Sequence, residues 1–272
     1  MGEEIRKQIN SIKNWENQLK EYFGDEISEI SESAEFDIQV TKEANRVGSK
    51  VLKSILENKI NFELLGESDF LTTNKGNKLL LTGIKFNLNQ IEKKYDLEIV
   101  FCERFNTSNN SMAMFQKDKN RIIFMIFDKP YKRSIFSDDG VEFKEQTVDD
   151  FKHYVKVRFK SWLLDDNIFF HEFVHYLDSL RYGKTYVNKN PKNKFSYFNS
   201  PEEFNAYMQE VINSVLKNKK KFIGIPFKKF FRETYSMFPE DFRHNVNEDF
   251  VKKIQKRLYK LYIYLNDRQK EI

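Results

Sequence analysis

Two histidines four residues apart constrain this chain more than any other feature, because they lie in His171-Glu172-Phe173-Val174-His175. On a helix, positions i and i+4 stand one above the other on the same face, so both imidazoles project together. The flanking residues ask for the same element. Phe170, Phe173, Val174, Leu177 and Leu180 form an apolar stripe, Asp165 and Asp166 are placed as N-caps, and Gly183 is placed as a stop. The bland alternative is a surface helix that carries H-E-x-x-H by accident. With 4 histidines in 272 residues, composition alone gives roughly 0.004 such accidents. Two neutral imidazoles at this spacing reach one zinc ion at about 2.0–2.1 Å. Glu172, rotated by about 100° from His171, falls beside the metal, where it can take a proton from a metal-bound water.

A catalytic zinc needs a third protein ligand. His153 and His244 are the remaining histidines, and neither follows the motif in an H-x-x-G-x-x-H pattern. An acidic ligand is therefore expected. Ser200-Pro201-Glu202-Glu203-Phe204-Asn205-Ala206-Tyr207 opens a later helix, with Ser200 as N-cap and Pro201 at the first helical position. Glu202 and Glu203 both fall in its first turn, where a carboxylate also suits the helix dipole. One of the two can serve the helix while the other serves a metal.

HEFVH followed by an E-x-x-A helix resembles the gluzincin group of zinc metallopeptidases, especially its small phage-associated and bacterial members. The resemblance covers roughly residues 97–215. It implies one Zn²⁺ per chain, held by His171, His175 and the glutamate of E-x-x-A, which is Glu203, with Glu202 as the substitute. It implies Glu172 as the general base and a peptide or protein as substrate. Tyr207 stands where the thermolysin-like form has an aspartate. By the same resemblance, Ser111-Met112-Ala113-Met114-Phe115 is a sheet edge, and Met112, Ala113 and Met114 bind the substrate backbone. Asp178 falls on the ligand face and could orient an imidazole, as carboxylates behind metal-bound histidines do. Tyr182, Tyr186, Tyr197, Tyr207 and His244 qualify by type as donors to a developing oxyanion, and the sequence does not separate them.

The remaining sequence sets the frame. Residues Ile5 to Tyr22 repeat apolar positions at helical steps up to Gly24, and a polar, acidic stretch runs from Asp25 to Glu35. A second helix is expected over about 42–59 and a short one carrying Ile84, Leu88, Ile91 and Tyr95. Strands are expected at Leu97 to Phe101 and in a hairpin of 112–115 with 121–127, the latter an inner strand, followed by a turn at 138–140. Helices then cover about 147–160, 167–182, 201–219, 226–237 and 247–266. With 9 Gly and 5 Pro, the chain is poor in the turn-formers that an all-β fold needs. The expected class is α+β: a zincin-like metallopeptidase fold with a small mixed or antiparallel sheet, an active-site helix, and helix-rich N- and C-terminal parts. The loop at 72–77 is the candidate boundary. It separates an N-terminal helical region, 1–75, from a zincin-like domain, 76–272, whose sheet and motif helix occupy 76–183 and whose third ligand lies in 184–272.

Cys102 is the single cysteine, which excludes an internal disulfide or thiolate cluster and suits a reducing compartment. No secretory signal or membrane-spanning run is present, so a cytoplasmic protein with no membrane partner is expected. The net charge of +5 is small for the length. Lys252, Lys253, Lys256, Arg257 and Lys260 read as the solvated face of a C-terminal helix rather than as a nucleic-acid surface. The rival reading is a catalytically idle zincin scaffold whose basic surface docks on nucleic acid or a phage assembly. An intact Glu172 argues against it.

Overall fold

The computed structural model describes residues 27–72, 78–103, 113–127, 133–137, 140–144, 147–164, 167–182 and 193–267. The expected helix over 5–22 lies outside them. The class is α+β, and the chain divides into two compact units, one formed by Glu43–Val187 and the other by Met1–Lys42 with Asn188–Ile272. Among the described residues no helix is long and apolar enough to cross a membrane.

The first helix, α1 (Ile27–Leu56), begins inside the acidic stretch that read as polar connection. Its buried positions explain the correction: Ala34, Ile38, Thr41, Ala44, Val47, Val51 and Ile55 run at steps of three and four. Small and hydroxyl residues carry the first half of that stripe, so a search for large apolar side chains starts too late.

In the Glu43–Val187 unit, β1 (Glu63–Leu64), β4 (Gly83–Asn87), β5 (Glu98–Glu103), β7 (Arg121–Phe127) and β6 (Ala113–Gln116) form one sheet in the order β1-β4-β5-β7-β6. Only β5 and β7 are parallel, so the sheet is mixed. The expected helix carrying Ile84 is instead β4. Ile84 and Phe86 are buried while Lys85 is half-exposed, an alternation that pairing with β5 imposes. A 3₁₀ turn at Leu88–Gln90 then follows.

The inner strands β5 and β7 are buried on both faces, as the continuous apolar run 122–127 requires. On one face Val100, Cys102, Ile123 and Met125 pack with Leu81, Leu65, Leu71 and Met114. On the other, Phe101 and Phe124 stack at 5.5 Å. Phe159 of α2 (Val148–Leu164) meets both edge-on, and Phe169 of α3 (Ile168–Tyr182) stacks on Phe124 at 6.1 Å. Asn120, at φ 48°, closes the β6–β7 hairpin after a 3₁₀ turn over Lys117–Lys119, a backbone position asparagine tolerates.

Two further hairpins were not expected: β2 (Phe70–Thr72) with β3 (Lys78–Leu80), and β8 (Arg133–Ser137) with β9 (Gly140–Lys144). Strand therefore persists past the expected turn, of which only Gly140 is described. The buried Arg121 ties the first hairpin down. Its Nη2 donates to the Phe70 carbonyl at 2.7 Å, its Nε donates to Gln116 Oε1 at 2.8 Å, and Nη1 faces Asp69 at 3.5 Å.

Gly83 is a glycine on which the sheet depends. Its φ is +153°, and a Cβ there would lie 2.0 Å from the Phe101 carbonyl oxygen. Gly83→Ala is expected to destabilise the chain by about 2–3 kcal/mol, from backbone strain plus overpacking. A denaturant midpoint equal to the parent's would contradict this close approach of β4 to β5.

The other unit is built of helices: the first part of α1, α4 (Lys194–Phe198), α5 (Pro201–Lys217), α6 (Lys219–Phe222), α7 (Phe227–Tyr235), α8 (Glu240–Asn245) and α9 (Glu248–Asp267). Phe204, Met208, Val211, Ile212 and Val215 of α5 meet Phe250, Ile254, Leu258, Leu261 and Leu265 of α9 in one core with Phe222, Phe227, Phe230, Phe238 and Phe242. Both stripes have the helical period. Lys252 and Lys253 are exposed as expected, but Arg257 is turned inward against Asp37.

Candidate metal centre

Helix α3 starts where an asparagine makes the chain turn. Asn167 holds φ 53°, and its carbonyl accepts the His171 N–H at 2.9 Å. The expected caps Asp165 and Asp166 and the expected stop Gly183 lie outside the described residues. Phe169, Phe170, Phe173, Val174 and Tyr176 are all buried, so α3 is embedded on most of its circumference. The expected stripe holds at Phe170, Phe173 and Val174, and Leu177 is half-buried. Leu180 departs from it, being 56 % exposed. Phe173 and Tyr176 close on Tyr95 at 5.4 and 5.7 Å, and Tyr176 meets Phe115 of β6 at 6.0 Å.

His171 and His175 share one side of α3. Their rings stand one turn apart with centroids 4.8 Å from one another and planes at 78°. His175 is buried, while His171 and Glu172 are half-buried. Asp178, the expected orienting carboxylate, is also buried, and it has an interaction partner.

Ser200 and Pro201 begin α5 as the sequence indicates. Ser200 is extended, its Oγ accepts the Glu203 N–H at 3.3 Å, and Pro201 occupies the first turn. Glu202 and Glu203 follow, both half-buried. Among the described residues, one group of His, Cys, Asp or Glu side chains has ligand atoms close enough to share a cation. It consists of His171, His175 and Glu203, with one atom from each, all within 4.8 Å of one another. Two imidazole nitrogens and one carboxylate oxygen form a donor set that suits zinc and leaves a coordination position free. Glu202, His153 and His244 are not in the group, and both of these histidines are exposed.

Cys102 offers no thiolate, because burial in β5 pushes its thiol up to about 12. Of the oxyanion candidates, Tyr197 and Tyr207 pack on Phe198 at 5.0 and 5.7 Å, and Tyr207 also on Phe242 at 5.2 Å. Tyr186 and the side chain of Tyr182 lie outside the described residues.

Strand β6 is an end strand of its sheet and, among the described residues, pairs with β7 alone. Ala113 and Met114 are half-buried there, and Phe115 is buried beneath Tyr176. Ser111 and Met112 lie outside the described residues. Helix α3 packs against β6, so the histidine helix and this end strand are neighbours. Asn167 was missed at the sequence level; its only signal there is the polar run that precedes the motif. No protein-family model matches this chain, and no curated protein or solved structure matches it either.

Proposed function

We propose that this chain is a zinc-dependent metallopeptidase of zincin-like architecture that hydrolyses peptide bonds in the cytoplasm. The observation that carries the reading is the convergence of His171, His175 and Glu203, the donor set expected from the motif and its resemblance to gluzincins. Zinc in such a set acts as a Lewis acid, lowering the pKa of a coordinated water toward about 7 and polarising a carbonyl oxygen.

The chain's own residues supply the rest. His171 and His175 would hold the ion through neutral ring nitrogens, and the Glu203 carboxylate would offset half of its charge. Glu172 moves the proton: its carboxylate accepts one from the attacking water and delivers it to the amide nitrogen of the departing segment. Strand β6, an end strand among the described residues, is the edge assigned to an extended substrate. Adjacent residues aim their backbone N–H and C=O groups at opposite edges, so of Ala113 and Met114 one faces β7 and the other is turned toward the substrate side, for a pairing any peptide backbone can make. Asp178 is the carboxylate available to fix an imidazole tautomer.

Metal analysis is the test. The purified, folded chain is expected to hold about one zinc, to lose it to a chelator, and to lose it again on acidification as imidazole ligands protonate. Folded protein prepared with zinc available but containing none at neutral pH would overturn the reading.

A further inference from the structure

Helix α5 presents two adjacent glutamates whose side chains point about 100° apart around the helix. Which one meets a metal is therefore set by the rotation of α5 about its own axis. A polar cluster from three helices fixes that rotation. Arg257 of α9 grips Asp37 of α1 side-on, Nε to Oδ2 at 3.0 Å and Nη2 to Oδ1 at 2.7 Å. Its third nitrogen, Nη1, donates to Asn205 Oδ1 of α5 at 2.8 Å. The guanidinium also lies 5.9 Å from the centre of the Phe204 ring. One turn further along α5, Gln209 Nε2 donates to Asp37 Oδ1 at 2.9 Å, and Gln209 Oε1 accepts from Thr41 Oγ1 at 2.8 Å. Gln209 and Thr41 are buried, and the Asp37 and Arg257 side chains are only 13 % and 20 % exposed.

Hydrogen bonds of a planar guanidinium are directional, and charged ones are stronger than neutral ones. Contacts on residues 205 and 209, one turn apart on the same face, resist rotation of the helix in a way that apolar packing does not. We infer that Arg257, held by Asp37 and acting through Asn205, is a positioning residue that selects Glu203 over Glu202 as the zinc ligand. The inference rests on the zinc reading of this site and adds to it a reason for the choice of glutamate.

Zinc affinity, measured by competition with a chromophoric chelator at a temperature where each variant is folded by circular dichroism, tests it. Arg257→Gln and Asn205→Ala are each expected to weaken zinc by about 10-fold, the usual scale for removing a group behind a ligand. Asn205→Asp, which keeps the acceptor, is expected to stay close to the parent. Adding Glu202→Ala is expected to cost little in the parent and several-fold more in Arg257→Gln, where the two glutamates compete. A purely structural Arg257 would lower the melting temperature without that coupling. Variants that bind zinc as the parent does, or strictly additive effects of Arg257→Gln and Glu202→Ala, would overturn the inference. If Arg257→Gln does not fold, Asn205→Ala decides alone. A parent without zinc, or Glu203→Ala that retains it, would instead overturn the ligand set and the inference with it. A zinc-binding parent sensitive to Glu203→Ala but indifferent to the clasp defeats the clasp only.

Discussion

Glu172→Gln is expected to leave the chain folded and zinc-loaded while removing roughly 10²–10⁴-fold of its peptide hydrolysis, the range general acid–base help supplies. The expectation follows from position. Glu172 is adjacent to a ligand in sequence but turned off the face that carries His171 and His175, and it is absent from the group able to share a cation. Glutamine keeps its size and a carbonyl acceptor but cannot take up a proton at neutral pH. Cleavage of a denatured general protein such as casein supplies the activity, metal analysis the loading, and circular dichroism the fold. Loss of zinc and fold together would make Glu172 a structural carboxylate. Unchanged cleavage would remove the proposed mechanism, since no other residue assigned here accepts that proton.

The motif helix was legible because several signals agree on it: two histidines one turn apart, an apolar stripe, and a flanking polar run. Its neighbourhood was less so, for reasons that differ from place to place. Ile84 and Leu88 fit a helical step of four, yet Ile84, Phe86 and Leu88 also fit a step of two, and cross-strand pairing with β5 decided between them. The three-residue strands of the β2–β3 hairpin are too short to show any period. Helix α4 lies between the expected helices over 167–182 and 201–219, where none was expected, although a signal existed. Asn193 and Ser196 form a reciprocal capping box, the Asn193 side chain accepting the Ser196 N–H at 2.8 Å. The clasp on α5 had no local signal at all, because Asp37 and Arg257 are 220 residues apart. Arg257 lay within a lysine-rich helix face, and only the folded arrangement shows that it turns inward to Asp37 while Lys252 and Lys253 are exposed.

Glu203→Ala is expected to weaken zinc binding by at least about a hundredfold, beyond what losing a group behind a ligand costs, whereas Glu202→Ala is expected to leave it nearly intact. The pair controls for the helix itself. Both glutamates lie in the first turn of α5, so removing either forfeits a similar interaction with the helix dipole, about 0.3–1 kcal/mol. The cap survives both changes, because Ser200 Oγ accepts from the backbone N–H of residue 203 and not from its side chain. Pro201 still fixes the entry to the helix. A difference in zinc affinity between the variants therefore reports coordination rather than folding. Competition with a chromophoric chelator reads it, and matched melting curves of the metal-free proteins show that the helix start is equally sound in both. Zinc lost in Glu202→Ala and kept in Glu203→Ala would transfer the ligand role to Glu202 and place α5 about 100° from the rotation described above. Zinc kept in both would leave His171 and His175 without an acidic partner from this helix and remove the basis for a His₂Glu centre.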